Sequence, residues 1–266
     1  MMLNGVEDRL SLLVRNAWEL VDCGFYSNGA VKRSRDGTAG RASLADALRA
    51  SLTFPIVAEV KLASPTAGRL GAHIAEELID DYQSGGAAAL SVITEPRYFL
   101  GSLRYLELAA RTGMPAMMKD FVVDGEQVEA ASRSGASAIL LIQGVFDRRL
   151  AAGRDALIEK AHHLGLEVVL ESSNLGELEG SFDSRADILA YNRRDLRTFR
   201  PGQDVLVQAL ELMGSDGRPA LAMSMMDSAE DVRKMRDLGA SGVLVGSALS
   251  GSPCPKEKLL SLRIPR

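Results

Sequence analysis

The stretch FPIVAEVKLASPTAGRL, from Phe54 to Leu70, decides the fold because it runs an apolar strand into charged side chains. Its β-branched residues favour a strand, in which residues two apart point to the same face. Val57, Glu59 and Lys61 therefore share one face, with opposite charges toward the carboxyl end of the strand. Parallel α/β folds carry their chemistry at that end. The charges are compatible with a buried ion pair or with a reactive site.

The same alternation of apolar strand and amphipathic helix repeats along the rest of the chain. No linker rich in Pro, Gly or Ser divides it. Near-continuous apolar strands predict parallel pairing with both faces buried. A count of eight favours an α/β fold of the (β/α)8 TIM-barrel type over an open doubly wound sheet. The strands after the first are predicted at Ala87–Thr94, Pro115–Lys119, Ala138–Ile142, Glu167–Glu171, Asp187–Asn192, Pro219–Met223 and Gly242–Val245.

Residues 1–53 are predicted to form an N-terminal helical extension and loop, within a single barrel domain of residues 1–266. Apolar residues at near-helical spacing predict a helix from about Val6 to Cys23. The segment from Asn28 to Ala42 is polar, basic and glycine-containing, which predicts a mobile loop and leaves open whether it closes as a lid. Ser43 is a suitable N-cap for a short helix that leads into the first strand.

Composition favours a globular protein without a strongly charged surface. Apolar residues make up 46%, charged residues 25%, and the net charge is −4, so neither nucleic acid nor a membrane is expected as a partner. Cys23 and Cys254 lie near opposite ends of the chain, as in a reducing compartment rather than a disulfide framework. The first residues resemble neither a signal peptide nor a membrane span. We therefore expect a cytoplasmic protein.

Further polar side chains stand where other predicted strands end. Lys119 shares its parity with Met117 and is expected to point into the barrel, the alternative being a lysine that extends to the rim. Glu171 ends an apolar strand on the parity of Val169, which favours an acid or base with a shifted pKa. Asn192 ends the sixth strand, either in the site or as the cap of a turn.

The segments after the last two strands are candidates for binding a phosphate. Ser224 follows the seventh strand, and Gly246 and Ser247 follow the eighth. Backbone N–H groups at these places commonly hold phosphate in such barrels, although a Gly-Ser pair also caps many helices. His162 and His163 are adjacent on an outer helix and cannot share one face as metal ligands spaced four apart do. No metal site is therefore predicted.

Six segments of the chain carry a resemblance to a known family. In order, they are AEVKLASPTAG, SVITEPRYFLGSLRYL, MMKDFVVDGEQVEAASRSGASAILLI, LGLEVVLES, YNRRDLRTF and LVGSAL. Their order and spacing, from about Ser43 to Leu262, resemble the indole-3-glycerol phosphate synthase family of tryptophan biosynthesis. The third segment is the most specific, and the ordered set is much stronger than any one member.

The resemblance implies a carboxy-lyase. Its reaction closes the indole ring of 1-(2-carboxyphenylamino)-1-deoxyribulose 5-phosphate with loss of carbon dioxide and water, and needs no cofactor. Lys119 is implied as the general acid toward the substrate ketone, and Lys61 as a second donor near the anthranilate carboxylate. Glu171 is implied in the dehydration, Glu59 in the same site, and Asn192 in holding the sugar chain or loop. The predicted substrate-binding residues are Ser64, Phe99, Phe121, Arg194, Ser224, Gly246 and Ser247.

The expected partner is a phosphorylated small molecule. An enzyme of the tryptophan pathway is a further candidate as a protein partner. Both expectations come from the resemblance alone.

The seventh strand departs from the family pattern. Family members usually read A-E-S-G-I where this chain reads AMSMM, from Ala222 to Met226. Met223 thus replaces an active-site glutamate, and Met225 replaces a glycine whose N–H approaches the phosphate. Two alternatives to the synthase follow. One is a diverged TIM-barrel lyase or isomerase acting on a related amino-sugar phosphate, and the other is a non-catalytic binding or scaffold subunit.

Overall fold

A closed barrel of eight parallel strands forms the centre of the computed structural model, which describes residues 8–28, 41–198, 201 and 205–266. The first strand pairs with both the second and the last strand of the barrel, and this closes the ring as predicted. In chain order the strands are β1 (Ile56–Val60), β2 (Ala63–Ser64), β3 (Gly68–Arg69), β4 (Ala89–Ile93), β5 (Ala116–Lys119), β6 (Ala138–Ile142), β7 (Glu167–Ser172), β8 (Ile188–Asn192), β9 (Ala220–Met223) and β10 (Gly242–Val245).

Helices surround the barrel and precede it. In chain order they are α1 (Arg9–Asp22), α2 (Phe25–Asn28), α3 (Leu44–Ala50), α4 (Ala75–Ser84), α5 (Leu103–Arg111), α6 (Gly125–Arg133), α7 (Gln143–Asp147), α8 (Arg154–His163), α9 (Leu175–Ser181), α10 (Leu206–Asp216), α11 (Ala229–Asp237), α12 (Ser247–Ser250) and α13 (Pro255–Leu262). None of the described helices has both the length and the apolar character needed to span a bilayer.

Short elements were not predicted from the sequence. The hairpin of β2 and β3 and the helices α2, α7 and α12 each contain five residues or fewer. Elements of that length are too short to show a period in the hydrophobic pattern. They nevertheless matter to the site, because the hairpin, α7 and α12 each follow directly on a barrel strand.

Alternating strand residues form two apolar layers. Val57 and Met117 belong to the cluster that fills the barrel, whereas Ala58 and Met118 belong to the cluster between the strands and the helices. This alternation follows from the period of two in a strand. It places the polar residue two positions after Val57, Glu59, at the mouth of the barrel.

The N-terminal extension contacts both ends of the barrel. On the mouth side, Trp18 Nε1 of α1 donates to Leu150 O at 3.2 Å. At the opposite end, Glu167 begins β7 and accepts from the Leu44 N–H of α3 at 2.6 Å. Gly24 adopts φ +73° between α1 and α2, a conformation that favours glycine.

Parts of two sequence-based predictions lie outside the described residues. These parts are the start of the first helix at Val6 and residues 29–40 of the loop predicted from Asn28 to Ala42. The lid and the single-domain organisation stay predictions.

Candidate active site

The carboxyl ends of the barrel strands surround an open cavity that encloses about 980 Å³ together with its mouth. Eleven of the twelve residues that the sequence assigned to catalysis or substrate binding line it. They are Glu59, Lys61, Lys119, Glu171, Asn192, Phe99, Phe121, Arg194, Ser224, Gly246 and Ser247.

Glu59 and Lys61 form an ion pair inside this cavity. Lys61 Nζ lies 2.7 Å from Glu59 Oε1, and Lys119 Nζ lies 3.8 Å from Glu59 Oε2. Burial by itself would raise the pKa of Glu59, but the two ammonium groups outweigh burial and hold that pKa below its ordinary value. Glu59 is therefore ionised at neutral pH. The buried ion pair predicted as one alternative is present and is also part of the cavity wall, whereas a part in a reaction stays a prediction.

Lys119 lies between two carboxylates. Its Nζ is 3.8 Å from Glu59 Oε2 and 3.9 Å from Glu171 Oε2, which is longer than a direct hydrogen bond. Burial would lower the pKa of Lys119, but Glu171 and Glu59 outweigh it and raise that pKa. Lys119 is therefore an ammonium group at neutral pH.

Asn192 connects the ends of three neighbouring strands. Its Nδ2 donates to Glu171 Oε1 at 2.9 Å, and its Oδ1 accepts from Ser224 Oγ at 2.8 Å and from the Arg194 N–H at 3.0 Å. Glu171 Oε2 accepts no hydrogen bond from any residue in the described part of the chain. Asn192 therefore orients one carboxylate oxygen, while the other faces Lys119.

Part of the cavity wall is apolar and aromatic. The rings of Phe99 and Phe121 lie 6.2 Å apart between centroids, at an angle of 37°. Ile93, Ile142 and Leu196 also line the cavity. Such a wall suits an aromatic ring, which gains from burial and from offset contacts with other rings.

Gly246 lets the backbone approach the ion pair closely. A Cβ atom built at this position would lie 2.2 Å from Glu59 Oε1 and 2.9 Å from Lys61 Nζ. Its φ of −118° is not in the left-handed region, and the close approach to the ion pair leaves no space for a side chain here. Gly246 is also the N-cap residue of α12, which begins at Ser247.

Ser64 differs from the other predicted substrate-binding residues. It lies in β2, and it is not among the described residues that line the cavity. Its hydroxyl accepts from the Ala67 N–H at 3.1 Å within the hairpin. The hairpin therefore uses this hydroxyl locally, and a contact with substrate stays a prediction.

The two adjacent histidines do not face one another across a metal site. His162 Nε2 lies 2.9 Å from Asp187 Oδ2 on the outside of the barrel. Within the part of the chain that the structure describes, His, Cys, Asp and Glu side chains form no group of three that could hold a metal ion.

Two buried carboxylates at the cavity were not predicted from the sequence. Glu95 accepts from the backbone N–H groups of Arg97, Tyr98 and Phe99, and so shapes the loop that presents Phe99. Asp120 directly follows Lys119 and is 4% exposed. The signal for Asp120 was its place directly after Lys119 at the end of a strand, but its strand parity, opposite to that of Lys119, predicted a side chain directed away from the barrel axis.

The divergent segment after β9 lies at the mouth of the cavity. Met223 and Met225 both line it. Ser224 and Met225 adopt φ of +70° and +58°, in the left-handed region that favours glycine. An L side chain in that region costs on the order of 1 kcal/mol. The backbone therefore keeps a glycine-like conformation at a position now occupied by methionine.

Solved structures of low sequence identity share the fold. The N-acetylmannosamine-6-phosphate 2-epimerase from Clostridium perfringens has a TM-score of 0.60 at 14% identity, and the alignment covers 83% of this chain and 93% of that chain. The thiamine phosphate pyrophosphorylase from Pyrococcus furiosus has a TM-score of 0.56 at 15% identity, with 79% and 93% covered. At such identities the likeness concerns the fold alone.

Sequence comparison identifies closer relatives. The indole-3-glycerol phosphate synthase of Carboxydothermus hydrogenoformans is 35% identical over 206 residues, which is 77% of each chain. That of a Roseiflexus species is 37% identical over 227 residues, or 82% of this chain and 83% of the relative. The family model described as indole-3-glycerol phosphate synthase matches residues 27–262, a range that contains every predicted site residue. The chain therefore belongs to the indole-3-glycerol phosphate synthase family.

Proposed function

We propose that this protein is an indole-3-glycerol phosphate synthase that converts 1-(2-carboxyphenylamino)-1-deoxyribulose 5-phosphate to indole-3-glycerol phosphate, carbon dioxide and water. The observation that carries the proposal is the place of Lys119. Its ammonium lies between Glu59 and Glu171 at 3.8 and 3.9 Å, beside a wall formed by Phe99 and Phe121. A proton donor next to an aromatic pocket is what ring closure onto a ketone requires.

Ring closure forms a bond between the carboxyl-bearing ring carbon and the ketone carbon of the substrate. The ketone oxygen becomes a hydroxyl and needs a proton as the bond forms. Lys119 is the better placed donor, because it makes no direct hydrogen bond to either carboxylate, whereas Lys61 is engaged with Glu59 at 2.7 Å. We assign Lys119 as the general acid and Lys61 as the group near the substrate carboxylate.

Carbon dioxide then leaves from the same ring carbon, and its bonding electrons return to the ring. This step is favoured when the carboxylate lies against an apolar surface, although the weight of desolvation is contested. Phe99 and Phe121 supply such a surface. The aromatic wall therefore both binds the ring and favours the loss of carbon dioxide.

Dehydration completes the ring. The new hydroxyl leaves as water after taking a proton, and the neighbouring CH₂ carbon loses one. We assign Glu171 to this step because it lines the cavity, its Oε2 lies 3.9 Å from Lys119 Nζ, and Asn192 holds its Oε1 at 2.9 Å. Two lysines and two glutamates can keep acid and base roles apart, since the ammonium groups of Lys61 and Lys119 hold the pKa of Glu59 below its ordinary value.

We assign the phosphate end of the substrate to the sector of the mouth formed by the segments after β8, β9 and β10. Arg194, Ser224, Gly246 and Ser247 line the cavity there. Backbone N–H groups after the last two strands of such barrels commonly hold phosphate. This sector includes Met225, so it is also where the chain differs most from its family.

A direct assay tests the proposed function. Purified protein is incubated with the carboxyphenylamino-deoxyribulose phosphate, and indole fluorescence is recorded over time. We expect product to form at a rate proportional to enzyme concentration. Protein carrying Lys119→Ala, purified in the same way, controls for contaminating synthase. An absence of product at high enzyme concentration would contradict the proposal.

The left-handed backbone at Ser224 and Met225 favours one second candidate, a diverged barrel lyase or isomerase on a related amino-sugar phosphate. The double variant Met223→Glu with Met225→Gly discriminates between the two. A large gain in synthase activity indicates a synthase with a drifted seventh strand. An unchanged low activity indicates a different substrate.

We also propose that the protein is cytoplasmic. The two free cysteines, Cys23 and Cys254, are both exposed, as tolerated in a reducing compartment. Fractionation of cells that produce the native chain tests this location. A partner from the tryptophan pathway stays a prediction.

A further inference from the structure

The N-terminal extension reaches the end of β5 through one buried tyrosine. Tyr26 lies in α2, and none of its surface is exposed. Its hydroxyl donates to Asp120 Oδ2 at 3.0 Å, across 94 positions of the chain. Asp120 directly follows Lys119. The extension therefore touches the residue next to the proposed general acid.

The Asp120 carboxylate is held by groups from three segments. Thr94, just after β4, donates its hydroxyl to the same Oδ2 atom that accepts from Tyr26. Oδ1 accepts from the Phe121 N–H at 2.8 Å. A carboxylate with three donors has a defined orientation. Asp120 thus ties the end of β5 to the end of β4 and to α2.

A second buried contact joins the extension to the same side of the mouth. Asn16 Nδ2 of α1 donates to Glu95 Oε1 at 3.0 Å. Glu95 in turn accepts from the backbone N–H groups of the loop that carries Phe99. The extension therefore reaches both a loop of the aromatic wall and the end of β5.

Two titratable groups act on the pKa of Asp120, and they are Tyr26 and Glu95. Burial raises the pKa of Asp120 to about 6, against the hydrogen bonds from Thr94, from the Phe121 N–H and from Tyr26, which lower it. Glu95 adds to the rise. Asp120 also acts on its neighbour, because its charge contributes to raising the pKa of Lys119, after Glu171 and Glu59.

We propose that Tyr26 is a positioning residue of the active site, which acts through Asp120 to fix the end of β5 and so the place of Lys119 between its two carboxylates. The inference rests on the proposed synthase activity and deepens it. It assigns a role in the reaction to a residue of the extension, outside the barrel itself. Positioning matters because small displacements of a proton donor slow a reaction strongly.

The test replaces Tyr26 by phenylalanine, which removes only the hydroxyl. We expect Tyr26→Phe to lower kcat at pH 7 by about 10-fold, with KM changed by less than about 2-fold. The acid limb of the kcat profile should also move to higher pH. The reason is that the lost hydrogen bond favoured the ionised form of Asp120, whose pKa therefore rises.

Ser27→Ala is the matched control. Ser27 follows Tyr26 in α2, and its hydroxyl donates to Glu126 Oε2 at 2.7 Å, away from Asp120. This variant loosens the same helix without touching the Asp120 carboxylate. We expect its kcat and pH profile to match those of the wild type. An equal loss in both variants, with no displaced limb, would mean that Tyr26 only stabilises α2 and would overturn the inference.

Thr94→Val keeps the inference testable if Tyr26→Phe does not fold. It removes the other hydroxyl from the same Asp120 oxygen, so the acid limb should move in the same direction. An unmoved limb would contradict the inference. A wild type without synthase activity would instead contradict the proposed function. In that case, thermal unfolding tests the hydrogen bond between Tyr26 and Asp120. The Tm deficit of Tyr26→Phe should be larger at pH 8 than at pH 5, and equal deficits would overturn the inference.

Discussion

Lys119 is the residue on which the proposed chemistry depends most. Its ammonium lies 3.9 Å from Glu171 Oε2, an atom that accepts no hydrogen bond from the described residues. The charge therefore compensates a buried carboxylate, and in the proposed mechanism it also donates a proton to the substrate. A lysine that served only to pair with a carboxylate in the core would not also border an open cavity, as Lys119 does.

Replacement of Lys119 by alanine should lower kcat by more than about 100-fold, since a positioned proton donor contributes about that much. Steady-state kinetics measure the loss. Lys160→Ala is the control, because Lys160 pairs with Glu129 at 2.6 Å outside the site. Near-normal turnover of the Lys119 variant would remove this residue from the mechanism.

Gly246→Ala should lower kcat/KM by about 10-fold or more, because a methyl group displaces the reacting ion pair and a small misplacement is costly. The new carbon would lie 2.2 Å from Glu59 Oε1. Gly214→Ala in α10 is the control, since a Cβ there meets no heavy atom within 4 Å. Retention of full activity by Gly246→Ala would show that Glu59 can shift without consequence.

At the scale of elements, α3 depends on a residue from the barrel for its beginning. Ser43 is the N-cap, and its hydroxyl accepts from the Asp46 N–H at 3.0 Å. The same hydroxyl donates to Glu167 Oε1 at 2.6 Å, and Glu167 Oε2 accepts from the Leu44 N–H. A carboxylate at a helix N-terminus also interacts favourably with the helix dipole.

Glu167→Ala should therefore lower the free energy of unfolding by about 1 to 2 kcal/mol, as the loss of a cap does. Urea unfolding measures the change. Glu159→Ala on the exposed face of α8 is the control, with an expected change below about 0.5 kcal/mol. Equal effects of the two substitutions would show that Glu167 does not stabilise α3.

At the scale of the whole molecule, Asp120 makes stability depend on pH. Its pKa rises from 3.8 to about 6 in the folded protein, chiefly through burial. The folded state therefore holds this proton more tightly than the unfolded chain does. The stabilisation is fully present below pH 3.8 and is lost as pH rises through 6.

Comparison of the wild type with Asp120→Asn isolates this contribution, because the variant does not titrate there. The wild type should lose up to about 3 kcal/mol of unfolding free energy relative to the variant between pH 4 and pH 7. Urea unfolding at several pH values measures the difference. A difference that does not vary with pH would contradict the raised pKa.

The sequence determined the barrel and most of the cavity, for a local reason. The period of two in strands and of 3.6 in helices depends on residues that are close in sequence, so the eight strands could be counted from the sequence. Strand parity then placed Glu59, Lys119 and Glu171 at one mouth, because parallel strands end at the same edge. The departure from the family pattern at Met225 could also be found in the sequence, since it lies in the segment from Ala222 to Met226 that aligns with that pattern.

Only the tertiary structure decided how distant segments meet. Tyr26 reaches Asp120 across 94 positions, and Asn16 reaches Glu95 across 79. The residues next to Tyr26 and Asn16 in the sequence give no sign of these contacts. Asn192 could cap a turn or join the site; in the structure it accepts from the Arg194 N–H in the turn and also bonds to Glu171 and Ser224 at the cavity. Such contacts depend on closure of the barrel and docking of the extension. Local periodicity carries no information about either.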